Sequence, residues 1–197
     1  MKALLSFLLG LTSMAACSAQ GTISFVNDGD SLVTYTVGGN DPVEVGGAFV
    51  ELLWAPGGTS LTSWVGQPLA EWLSSNPGWR EAGSSIKPIG PLPGRFLGGT
   101  VVLPTEQPGG PVELLVVGWL GNHVSFDAAL AGGSTGAFSE PFALQTGDPT
   151  TTPPGIPAII TGPNGFKGLG FYIPEPSAVL LILLGAGLFL RRRQQRP

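Results

Sequence analysis

Few side chains in this sequence are of types that do chemistry, and their spacing narrows them further. His123 is the only histidine, with Asp127 four residues on. A Ser-His-Asp relay needs its nucleophile on a sharp strand-to-helix turn, and no such pattern accompanies this pair. Gly121-Asn122-His123 has instead the composition of a turn. The single cysteine, Cys17, lies near the N-terminus, so no clustered zinc site can be built. Asn27-Asp28-Gly29-Asp30 sets oxygen ligands close together as a calcium loop does, but the twelve-residue spacing and closing Glu are missing. A hairpin turn accounts for it. Glu71 and Glu81 could act as a glycosidase pair only if the fold held them about 5–10 Å apart. The glycines cluster as turn pairs, without the strand-to-helix context of a phosphate-binding loop. No catalytic, metal or cofactor-binding residue is assigned, and a protein that is not an enzyme is expected.

The tryptophans are the one enriched feature: Trp54, Trp64, Trp72, Trp79 and Trp119. Trp54 and Trp119 fall inside strong apolar runs and are expected in the core. Trp64, Trp72 and Trp79 fall in a loop-rich stretch from Ser63 to Arg80. If exposed, their flat faces would stack on sugar rings, the arrangement of a carbohydrate-binding module acting on extracellular polysaccharide. If folded back, they would cover one end of a sheet, and this second arrangement is the one expected.

The C-terminus is the most informative part of the chain. Ile173-Pro174-Glu175-Pro176-Ser177 is followed by Ala178 to Leu190 without a charge, then by Arg191, Arg192 and Arg193. Pro174 and Pro176 fix their own φ and push the preceding residues out of the α region, so this segment is extended. The 13 apolar residues reach roughly 20 Å as helix, short of the roughly 30 Å hydrocarbon core. Arginine stems that snorkel to the headgroups, together with local bilayer thinning, allow such a span. The triple arginine places the tail in the cytoplasm and the body outside.

Proline-glutamate-proline, one short apolar span and a terminal arginine cluster together resemble the PEP-CTERM sorting signal of exported bacterial proteins. The matching positions are Pro174, Glu175 and Pro176, then Ala178 to Leu190, then Arg191, Arg192 and Arg193. The resemblance covers about 25 residues and implies recognition by an exosortase, a membrane-embedded cysteine transpeptidase that cuts near the motif. It implies a transient membrane stage followed by release at the cell surface or into a biofilm matrix. It assigns no activity to the body.

The N-terminus agrees with export. Lys2, an apolar run from Ala3 to Leu11 and small residues up to Ala19 form a secretory signal peptide. Cleavage after Ala19 would remove Cys17 and leave a mature chain without disulfides. Met14-Ala15-Ala16-Cys17 also resembles a lipobox, with Met in place of the usual Leu, so lipidation at Cys17 is the competing route. The domain division is therefore 1–19 signal peptide, 20–173 extracellular domain and 174–197 sorting and anchor segment.

Composition sets the class of the body. Glycine (31) and proline (19) fill about a quarter of the 197 positions, yet 43% of residues are hydrophobic and only 11% charged. Ordinary soluble domains carry about 25% charge, and a chain this apolar can bury enough surface to fold. Within 20–173, Arg80, Lys87, Arg95 and Lys167 stand against twelve acids, a net charge of −8. That opposes nucleic-acid binding. Short β-branched or apolar runs at 22–26, 32–37, 48–54, 95–97, 100–103, 112–119, 138–144 and 166–172 alternate with Gly, Pro, Asn and Asp turns. The expected fold is all-β, a single β-sandwich of jelly-roll or immunoglobulin-like type. The 112–119 run is apolar on both faces, which predicts a central strand. Residues 68–75 predict one or two helical turns, and 146–157, with four prolines and three consecutive threonines, a loop.

Overall fold

Two long apolar runs organise the chain. Ala48–Pro56 (β3) and Pro111–Leu120 (β7) pair antiparallel without a break, from Ala48 opposite Leu120 to Pro56 opposite Val112. Side chains alternate across a strand, so β3 sends Ala48, Val50, Leu52 and Trp54 to one side and Phe49, Glu51, Leu53 and Ala55 to the other. Each side packs into its own apolar cluster, so both strands are covered on both faces. Such strands lose the polar alternation of a half-exposed sheet, which is why 112–119 reads as one continuous apolar run.

The computed structural model describes residues 20–36, 39–62, 68–83, 86–104 and 108–172. Within them the fold is all-β, with two short helices. The remaining elements are β1 (Gly21–Val26), β2 (Val33–Thr34), α1 (Leu69–Ser75), β4 (Arg80–Glu81), β5 (Lys87–Pro88), β6 (Leu97–Leu103), α2 (Phe126–Ala131), β8 (Gly136–Phe138), β9 (Phe142–Gln145), β10 (Ala158–Ile159) and β11 (Leu169–Gly170). Strands β4 and β5 pair along the free edge of β3, and β8 and β9 along that of β7, completing a six-stranded sheet. A three-stranded sheet has the order β10-β1-β6, and β2 pairs parallel with β11.

The larger cluster joins all three sheets: Ile23 and Phe25 of β1, Leu103 of β6, Val33 of β2 and Leu169 of β11 meet Val50, Leu52, Val112, Leu114 and Val116. Full burial of a side chain of this size contributes roughly 1.5–3 kcal/mol. Gly118 permits a close approach, because a Cβ there would stand 2.5 Å from Leu169 Cδ2. The second cluster lies on the opposite face of β3 and β7, where α1 and α2 supply Leu69, Trp72, Phe126 and Ala129.

Several boundaries depart from the sequence expectations for local reasons. The 138–144 run divides into β8 and β9 at Ser139, whose Oγ accepts from Val116 N at 2.9 Å while its own N–H donates to Val116 O at 2.8 Å. Pro141 then supplies no donor. The 95–97 and 100–103 runs merge into β6 through Gly98 and Gly99. The 166–172 run shortens to Leu169–Gly170, since Phe166 N–H donates to Ile160 O at 2.7 Å instead of joining a ladder. Strands β4, β5 and β10 and helix α2 were not expected, being two to six residues long. Residues 68–75 do contain a helix, and 146–157 contains no strand beyond a single bridge from Gly147 to Thr22.

Candidate functional site

Asn27, at the end of β1, is a buried fastener. Its Nδ2 donates to Ser31 O (2.7 Å) and Gly94 O (2.9 Å), and its Oδ1 accepts from Phe96 N (2.7 Å). Asp28 accepts from Ser31 Oγ (2.7 Å) and Asp30 N (3.1 Å), closing the turn on itself. The Ser31 hydroxyl, more than any other group, holds the Asp28 carboxyl below its ordinary range. Turn chemistry therefore engages the side-chain oxygens of Asn27 and Asp28. Among the described residues no group of three or more His, Cys, Asp or Glu could hold a metal.

Asp127 does not turn to His123 but to α1. Its carboxylate accepts from the backbone N–H of Leu69 and, at 3.2 Å, of Ala70. Pro68, at the N-cap of α1, has no side-chain acceptor, so the first-turn N–H groups are capped from another helix. Ser125 caps α2 more conventionally, accepting from Ala128 N at 3.2 Å. His123 contributes its backbone oxygen, which accepts from Trp119 Nε1 at 3.0 Å. Glu71 sits exposed on α1 and Glu81 exposed on β4.

Trp72 and Trp79 are 1% and 3% exposed, in edge-to-face contact at 5.7 Å, with Phe138 against Trp72 at 5.6 Å. This corrects a sugar-stacking role for these two residues. Their rings cover the central sheet, because Leu53, Leu115 and Val117 offer an apolar face that needs covering. Trp64 lies outside the described residues. The indole N–H groups of Trp72 and Trp79 are buried and find no hydrogen-bond partner among the described residues. Each such group costs about 1–3 kcal/mol. Trp54 belongs to the core between the sheets, with the Arg80 guanidinium 5.8 Å from its ring centre.

Glu51 is the residue that the search for chemistry overlooked. It lies in the middle of β3, opposite Val117, only 3% exposed and between Phe49 and Leu53 on the helix-covered face. Burial, reinforced by the nearby Glu81 and Asp127 carboxylates, pushes its pKa up to about 7. The available signal was positional: a lone acid at an alternating position of a strand otherwise apolar on both faces.

A cleft of about 760 Å³ opens between the β2–β11 pair and the β8–β9 edge. Asp30, Asn40, Glu140 and Asn164 line it, above Phe138 and Phe142. Lys167 at the same rim is committed, donating to Gly162 O at 2.9 Å.

Among the described residues no helix is long and apolar enough to cross a membrane. The expected signal peptide, the motif Pro174, Glu175 and Pro176, the span Ala178 to Leu190 and the cluster Arg191, Arg192 and Arg193 all lie outside the described residues. Comparison with protein-family models, curated proteins and solved structures finds no match.

Proposed function

We propose that this is an exported, non-enzymatic structural or interaction protein, a β-sandwich body delivered to the cell surface or extracellular matrix by a C-terminal PEP-CTERM signal. The observation that carries the proposal is how close the packed body comes to the motif. Phe171 is fully buried and Tyr172 is 74% exposed, two residues short of Pro174. An exosortase-type enzyme acting at Pro174-Glu175-Pro176 would thus cut close to the last buried residue of the body. The short span, Ala178 to Leu190, suits a substrate that has to hold the membrane only until processing. The test is mass spectrometry of the exported protein from cells carrying the processing enzyme. A mature form lacking Ala178 to Leu190, with full-length precursor accumulating in the membrane for Glu175→Ala, is the expected result. An exported form that retains the span overturns the proposal.

Saccharide binding is a second function that one feature favours, now at the cleft rather than on the tryptophans. Carboxylates and amides around an aromatic floor, in a volume within the roughly 300–1,000 Å³ of small-molecule sites, suit a neutral polyhydroxyl chain. Titration with neutral oligosaccharides should show saturable binding that Asp30→Ala and Glu140→Ala weaken. Equal binding by both variants would remove the cleft from consideration.

A further inference from the structure

Glu51 is a carboxyl group held where a carboxylate is costly. Alternation along β3 points it away from the core between the sheets and into the layer under α1 and α2. Its lateral neighbour across β7 is Val117, and Leu115, Trp119 and Phe138 complete apolar surroundings on that face. The charged groups that bear on it are Glu81 from β4 and Asp127 from α2, both acidic. Glu71 of α1 is also acidic and is exposed. The cations of the neighbouring strands stand on the other face: Arg80 opposite Trp54 and Lys87 opposite Val50. Asp127 is, in addition, the group that fastens α1 to α2 through the N–H groups of Leu69 and Ala70. A negative charge on Glu51 therefore meets no countercharge among the described residues and repels the residue that holds the helical layer together.

We propose that the helical layer of α1 and α2 is docked on the sheet while Glu51 is protonated and is loosened when Glu51 ionises. The direction follows from burial. A carboxyl whose folded-state pKa is raised favours the open form as pH climbs, because the open form returns the charge to water. The shift from 4.5 to about 7 makes opening about tenfold more favourable at pH 8 than at pH 6. Loosening would bare Leu53, Leu115 and Val117 of the sheet together with Trp72, Trp79 and Phe126, an apolar surface that the docked state hides. A protein meeting its surroundings outside the cell would then expose it according to external pH.

Hydrogen exchange of the full-length chain in detergent, read by mass spectrometry at pH 6 and pH 8 and corrected for intrinsic rates, tests this. Amides in Leu69–Ser75 and Phe126–Ala131 should exchange about tenfold faster at pH 8, while those of β3 and β7 hold. Glu51→Gln should abolish the pH dependence. Glu51→Leu should do the same and covers the case in which Gln fails to fold. His123 lies beside α2 and is also ionisable, so the variants decide the matter rather than pH alone. A Glu51→Gln or Glu51→Leu protein that keeps the tenfold change overturns the proposal, as does acceleration of β3 and β7 in step with the helices.

Discussion

The two faces of the β3–β7 pair are made by the same residues in alternation, yet they are built to different standards. Toward the other sheets, Val50, Leu52, Trp54, Val112, Leu114 and Val116 meet strands whose own inward residues are apolar. Nothing there needs a proton or a cap. Toward the helices, the same strands present Glu51 beside Leu53 and Val117, under two indole N–H groups that have no partner among the described residues and a helix capped from 57 residues away. Ladder hydrogen bonds satisfy the backbone of a sheet-covered face, leaving only shape to be matched. A face covered by short helices must also accommodate helix ends and long polar-tipped side chains. Stability is concentrated on the first face and responsiveness on the second.

The comparison can be broken most decisively from the sheet-covered side. Phe25 is fully buried, with its ring 4.7 Å from that of Phe96. Phe25→Ala should cost about 3–5 kcal/mol in denaturant unfolding, and a loss below about 1 kcal/mol would show this face to be loosely packed. Next in size is Glu51→Gln. The folded-state pKa is about 7 against an ordinary 4.5, so the wild type keeps its full stability below pH 4.5 and loses it as pH rises through 7. The loss amounts to about 3 kcal/mol. Glu51→Gln should therefore be more stable than wild type by about that amount at pH 8 and equal to it near pH 4. The reverse order would mean that the carboxylate finds a compensating partner.

Smaller effects sharpen the contrast. Asp127→Ala removes the cap of α1 and should cost about 1 kcal/mol, partly offset at high pH by relief of Glu51. The offset would appear as a smaller cost at pH 8 than at pH 5. Trp72→Phe should change stability by less than about 1 kcal/mol, since the lost ring area is balanced by removal of a buried donor that has no acceptor among the described residues. A cost near that of Phe25→Ala would show that the indole N–H is satisfied and that the two faces are alike.

The sequence by itself was enough for the all-β class, for the central place of 112–119 and for the helix in 68–75. These depend on local periodicity and on proline and glycine, which act over a few residues. The proposal of export and sorting also rests on sequence alone, on the order of a motif, an apolar span and a charge cluster rather than on folding. Tertiary structure decided the rest. Short strands such as Arg80–Glu81 and Ala158–Ile159 exist because β3 and β1 offer open edges to them, and two residues have no periodicity to read. Trp72 and Trp79 were legible as aromatic enrichment but not as cover for a sheet, since their burial depends on where α1 docks. Asp127, four residues from His123 and without a nucleophile pattern beside them, had no role legible in the sequence, and the fold gives it the start of α1. Glu51 was visible as a lone acid in an apolar strand. Only the placement of α2 and β4 surrounds it with two further carboxylates, because electrostatic neighbours are set by distance in space and not along the chain.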